Sequence, residues 1–131
     1  MDTIEIRTRT KKEFVDLTAD VCRIVATSGV ASGVCVVAVP HTTAGVIVNE
    51  NADPDVRADL LMTLRRIVPD SLAYAHAEGN SPAHVKAALI GSSVTLIVEG
   101  GRLQLGTWQG VFICEFDGPR ARKVWVQIIG K

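Results

Sequence analysis

The sequence predicts an α+β domain with mixed, largely antiparallel sheets and about three helices. Three observations point there. Helix-start signals and helical spacing fall in the first two thirds of the chain, while short apolar strand patterns dominate the last third. That segregation is expected of α+β folds rather than of a regular βαβ alternation. The 131 residues suit one domain, spanning 1–131. Apolar residues make up 47% and charged residues 21%, enough to bury a core and too apolar for intrinsic disorder.

Thr3–Arg7 alternates apolar and polar residues, as a half-buried strand does. Asp16 precedes Leu17, Val21, Ile24 and Val25 at helical spacing, and that helix is expected to stop near Gly29. Val34–Val39 is an apolar run of strand length closed by Pro40, and Gly45–Val48 reads as the next strand. Asp53-Pro54 pairs an N-cap residue with proline at the first helical position. Val56, Leu60, Leu64 and Ile67 form the predicted buried stripe of that helix, and Pro69 stops it. Ser81-Pro82 repeats the start signal, with Ser81 as the expected cap and Gly91 as the end. Strands are predicted at Val94–Glu99, Arg102–Leu105, Val111–Phe116 and Lys123–Ile129, with turns at Gly100-Gly101 and Gly118-Pro119.

Charge and cysteine usage narrow the function classes. Lys plus Arg is 14 and Asp plus Glu is 14, so neither a nucleic-acid binder nor a polybasic membrane protein is expected. A neutral chain does little to resist self-association. No apolar leader is visible, and runs such as Val34–Pro40 and Val94–Val98 are too short to span a bilayer. Cys22, Cys35 and Cys114 are widely spaced and odd in number, against a disulfide framework and against a Cys-based zinc site. A reduced, cytoplasmic protein is the expectation.

Three segments carry more polar chemistry than turns and caps require. His41-Thr42-Thr43 ends one strand, and Asn49-Glu50-Asn51-Ala52-Asp53 ends the next. Sequential strands are usually neighbours, so the two groups are expected side by side. Capping accounts for Asp53 but not for Glu50 or His41. The second segment, His76 to His84, holds Glu78 and Asn80 just before a helix, whose N-terminal N–H groups favour anions. The third, Gly106-Thr107-Trp108-Gln109-Gly110, brackets a hydroxyl, an indole and an amide with glycines. His41, His76 and His84 are the only histidines, and with Glu50 and Glu78 they are candidate ligands for a divalent metal. Zn²⁺ suits the histidines and Mg²⁺ the carboxylates, and the same residues serve a phosphate site equally well. Cys114 and Phe116 alternate with Glu115 and Asp117, so the two pairs fall on opposite faces, and if the first pair faces the core the acids face solvent or a site. A Cys114–His dyad is a weaker alternative.

HTTAGVIVNENADPDVRADL, HAEGNSPAHVKAALIGSS, GRLQLGTWQGVFICEFDGPR and the closing KVWVQIIGK resemble the YjbQ, or UPF0047, family of small proteins. The similarity runs from about Thr3 to the end, with small departures at Gly45, Val46 and Gly100. It implies one YjbQ-like α+β domain, a homotrimer, and a polar pocket in which His41, Glu50 and His84 are the candidate catalytic groups and Thr42, Thr43, Asn49, Asn80, Thr107 and Gln109 the candidate substrate or phosphate contacts, beside His76 and Glu78. Family members are associated with thiamine phosphate synthase activity. That reaction couples a pyrimidine diphosphate to a thiazole phosphate and releases pyrophosphate. The resemblance thus implies a small enzyme acting on a phosphorylated small molecule. Arg120, Arg122 and Lys123 are further candidate phosphate contacts. Another metal-dependent enzyme, such as a hydrolase, and a non-catalytic ligand-binding trimer are the alternatives.

Overall fold

The computed structural model describes the whole chain, Met1–Lys131. Eight strands and three helices run in the order β1 (Asp2–Arg7), β2 (Glu13–Asp16), α1 (Thr18–Thr27), β3 (Ser32–Ala38), β4 (Ala44–Glu50), α2 (Pro54–Ile67), α3 (Ser81–Ile90), β5 (Ser93–Glu99), β6 (Arg102–Leu103), β7 (Gln109–Glu115) and β8 (Ala121–Gly130). A five-stranded sheet has the order β1-β8-β3-β5-β6, and a three-stranded sheet the order β2-β7-β4. Every pairing is antiparallel. No helix is long and apolar enough to cross a membrane.

The small sheet is the middle layer. One face joins the five-stranded sheet and α1 in the main core, built from residues such as Val21, Val25, Val37, Val46, Ile113 and Val126. The other face carries Cys114 and Phe116 against Leu64 of α2 and Ala83 and Ala87 of α3. Strand β7 is therefore buried on both faces, and Glu115 is buried with it. The acid does not face solvent, as its alternation with Cys114 suggested; its face of β7 is covered by the large sheet.

The local signals act largely as read, with shifts at element ends. Asp53 accepts the Asp55 N–H at 2.9 Å and caps α2 behind Pro54, a contact worth about 1 kcal/mol. Asp16 accepts the Thr18 N–H at 2.9 Å at the start of α1. That helix ends at Thr27, just before Gly29 takes a left-handed φ of 78°. In α3 the cap is Asn80 rather than Ser81, so His84 sits one position further into the helix than expected. The stripe of α2 is only partly used: Leu64 is buried, whereas Ile67 is exposed. Strand β2 has no signal in the sequence, because Glu13–Asp16 is too short to show a period; pairing with β7 defines it.

The decisive difference lies in topology. Strands β3 and β4 belong to different sheets, so the polar groups after β3 and after β4 do not meet. They lie at opposite ends of β4, seven residues and roughly 20 Å apart. Gly45 fixes what lies over the first of these ends. A side chain there would come within 2.7 Å of the Gly91 carbonyl oxygen. That carbonyl, at the end of α3, accepts the Val46 N–H at 3.0 Å. The bare glycine thus lets α3 settle on β4.

Candidate functional site

At the start of β4 the chain has just left the large sheet through Pro40 and His41. His41 is half-buried, and its Nε2 accepts the backbone N–H of Lys123 at 2.9 Å. Burial lowers its pKa below the usual histidine value, and the Arg122 charge adds to the effect, so the ring is neutral near pH 7. Thr43 is buried behind it. Arg122, also buried, donates from Nη2 to Thr43 Oγ1 at 2.8 Å and from Nε to Glu115 Oε1 at 2.9 Å. Glu115 accepts in addition from Thr8 Oγ1 at 2.7 Å. Burial alone would raise the Glu115 carboxyl. The bonds from Arg122, Thr8 and the Asp117 N–H outweigh it and hold the group below its ordinary value. This ion pair ties β7 of the small sheet to β8 of the large one.

Helix α3 brings His84 over the same corner. The His84 ring meets that of His76 edge-to-face, with centroids 5.4 Å apart. His76 Nε2 stands 3.9 Å from the Glu78 carboxylate. Asn80 donates from Nδ2 to Asp117 Oδ2 at 3.0 Å. Arg120 donates from Nε to the Asp117 carbonyl at 2.8 Å and from Nη2 to Asp117 Oδ2 at 2.9 Å. Those bonds leave other guanidinium N–H groups free. His41, Thr42, Thr43, His76, Glu78, Asn80, His84, Arg120 and Arg122 all line one open cavity of about 470 Å³, which no large apolar side chain enters.

The far end of β4 is built differently. Glu50 pairs in register with Gln109, and Asn49 with Gly110. The Asn49 side chain accepts the Glu50 N–H at 2.7 Å, and Gln109 Oε1 accepts the Gly106 N–H at 2.8 Å. Gly110 is bare because Asn51 packs on it; a Cβ there would lie 2.6 Å from Asn51 Nδ2. Thr107 and Trp108 are exposed. These residues shape turns at a rim, and Asn49, Glu50, Thr107 and Gln109 do not reach the histidine cavity within one chain.

The histidine corner is thus a gathering of imidazoles, hydroxyls, amides and guanidinium groups whose long-range part runs along the whole chain. The model for the UPF0047 protein YjbQ-like family matches residues 2–131. The chain belongs to the YjbQ-like UPF0047 family. A UPF0047 protein of Methanocaldococcus jannaschii is 47% identical over 126 residues, covering 96% of this chain and 91% of that one. The UPF0047 protein YugU of Bacillus subtilis is 44% identical, with 99% of each chain covered. Among solved structures, a YjbQ/UPF0047 family protein from Clostridium acetobutylicum superposes with a TM-score of 0.96 at 51% identity, covering 98% of this chain and all of that one. A YbjQ-like protein from Sulfolobus solfataricus P2 gives 0.96 at 34% identity, covering 99% of this chain and 96% of that one. The YjbQ-like fold expected from the motifs is therefore the fold of this chain.

Within this family member, a divalent ion meets no ready-made cage. No three His, Cys, Asp or Glu side chains gather closely enough to hold one. Glu50 is at the other end of β4, and His41 Nε2 is already engaged. Cys114 is fully buried and its thiol is pushed far above the ordinary value by burial. It is a packing residue rather than a nucleophile. The residues that sequence reasoning missed are Thr8 and the pairing role of Glu115. No local signal marks them, since Thr8 and Glu115 are 107 positions apart.

Proposed function

We propose that the histidine cavity binds the phosphoryl or diphosphate group of a small molecule and that the chain is an enzyme acting on it, with thiamine phosphate synthesis among its activities. The observation that carries this reading is the cavity itself, where three histidines and two arginines converge around open polar space. Arg120 supplies charge-assisted donors that bind phosphate oxygens well. Thr42 and neutral His41 add hydrogen bonds. His84, beside His76, is placed to give a proton to a departing phosphate oxygen. In the coupling reaction a thiazole nitrogen attacks the methylene carbon of the pyrimidine. The carbon–oxygen bond breaks, and its electron pair leaves with pyrophosphate. The site stabilises that growing negative charge. The test is a coupling assay with both precursors on His84→Ala, Arg120→Gln and His41→Ala. Rates unchanged in all three, with the fold intact, would remove the proposal.

We also propose that the chain works as a homotrimer. In support, Ile97 and Ile129 flank Val34 on the large sheet and are 62% and 52% exposed, and Trp108 is 63% exposed. Apolar area of this kind is common at subunit contacts. Light scattering that gave a monomer at working concentrations would remove this part.

A further inference from the structure

Arg122 is committed to the protein along one edge and open along the other. Its side chain is only 2% exposed, yet the residue stands in the wall of the histidine cavity. A guanidinium carries five N–H groups. Nε donates to Glu115 Oε1 at 2.9 Å, and Nη2 donates to Glu115 Oε2 and, at 2.8 Å, to Thr43 Oγ1. Nη1 donates to nothing. It is not sealed inside the protein either, because the only buried side-chain polar atoms without a partner are Asn80 Oδ1 and Lys86 Nζ. Thr43, which holds the guanidinium head, lines the histidine cavity, so the open Nη1 edge faces that space.

The committed edge is held from several sides. Glu115 is fully buried, and besides Arg122 it accepts from Thr8 Oγ1 at 2.7 Å and from the Asp117 N–H at 3.1 Å. The Thr43 carbonyl also accepts from Nη2, at 3.2 Å. Around the open edge stand His41, His84 and Arg120, and the one carboxylate in the cavity wall, Glu78, lies beside His76. None of them accepts from Nη1. A cationic donor so deeply placed is unfavourable without an acceptor, and its two coplanar N–H groups suit the oxygens of an oxyanion. Arg122 is ordered by the fold itself, so a ligand does not have to immobilise it. The Arg120 side chain, by contrast, is 49% exposed and screened by water.

We propose that Arg122 Nη1 is the anchor for the anion in the histidine cavity, and that Glu115 and Thr43 are positioning residues that hold its guanidinium plane toward the ligand. The inference rests on the anion-binding reading of that cavity and adds the group that fixes where the anion's oxygens lie. Glu115 then does more than join two sheets: by taking the Nε edge it turns the Nη1 edge outward.

The test titrates the full chain, isotope-labelled at its arginine nitrogens, with inorganic pyrophosphate. The Nη1 signal of Arg122 is expected to shift, and its Nε signal to stay in place because Glu115 already holds it. Calorimetry gives the matching affinities. Arg122→Lys should weaken pyrophosphate by about ten-fold or more, and by more than Arg120→Gln does, since an ammonium serves Glu115 or the anion but not both. Glu115→Gln and Thr43→Val should each weaken it by about three-fold. Val25→Ala, in the main core, lowers Tm away from this corner and should leave the affinity unchanged. An equal loss in Val25→Ala would overturn the positioning role. Arg7 lines a neighbouring cavity of about 430 Å³ that also touches Arg122. Loss of binding in Arg7→Gln with none in His84→Ala would put the anion there and overturn the proposal. A shift at Arg120 with none at Arg122 would overturn the anchor and leave the histidine cavity as an anion site. Pyrophosphate that shifts neither arginine and binds His84→Ala as well as the native chain would overturn both. The arginine signals are read in the native chain, so the outcome stands even where Arg122→Lys does not fold.

Discussion

The two ends of β4 hold similar side chains and do different work. At the start of the strand, Thr43 is buried on Arg122, Arg122 on Glu115, and the histidines look onto open polar space. At the far end, Asn49 and Gln109 spend their side chains on nearby backbone N–H groups, and Trp108 is exposed. An amide or carboxylate becomes a candidate ligand contact only when packing leaves its polar atoms unspent. Composition alone does not separate the two cases.

The largest expected contrast is in stability. Glu115→Ala leaves Arg122 buried without its counter-charge and should cost about 3–5 kcal/mol in urea unfolding. Glu50→Ala, at the exposed end, should change stability by about 0.5 kcal/mol or less. Equal losses would erase the distinction between the ends. The same corner governs the response to acid. His41 has a lowered pKa, so its neutral form is favoured in the fold, and its contribution is full above the ordinary value of 6.5 and declines as pH falls below it. Glu115 is held below its ordinary 4.5, so its contribution is full above that value and is lost as pH falls through the lowered one. Unfolding followed against pH should therefore weaken first below about 6.5 and again below about 4.5. His41→Ala should remove the first step.

Ligand binding sharpens the comparison at smaller scale. His84→Ala should weaken a diphosphate ligand by about ten-fold, the size of one lost charge-assisted bond, while Glu50→Gln leaves it unchanged. Calorimetry on the two variants checks this. The smallest effect belongs to the helix that follows the exposed end. Asp53→Ala should lower stability by about 1 kcal/mol through loss of its cap, with binding unaffected.

Much of this was legible locally. Asp53-Pro54, Ser81-Pro82 and Gly100-Gly101 mark starts and turns because caps and left-handed turns depend on a few adjacent residues. The two histidine-bearing segments were legible as polar clusters, and their three histidines do line one cavity. What the sequence hid is pairing. Nothing near Val34–Val39 says that β3 joins β8 and β5 while β4 joins β7, and that choice separates Glu50 from His41. The contact of Thr8 with Glu115 and the burial of Glu115 follow from the same stacking of two sheets, so they too became visible only in three dimensions.

The bond from the Lys123 amide to His41 decides the tautomer of that ring. A backbone N–H only donates, so Nε2 must present a lone pair, and the ring proton resides on Nδ1. Toward a ligand, His41 then has a proton to share through Nδ1 and no basic nitrogen to take one up. Protonating the ring sets two N–H groups against each other and releases the edge of β8 at Lys123. His41 is therefore fixed as a donor for as long as that edge stays zipped, and any base in the site must be sought in His76, His84 or Glu78.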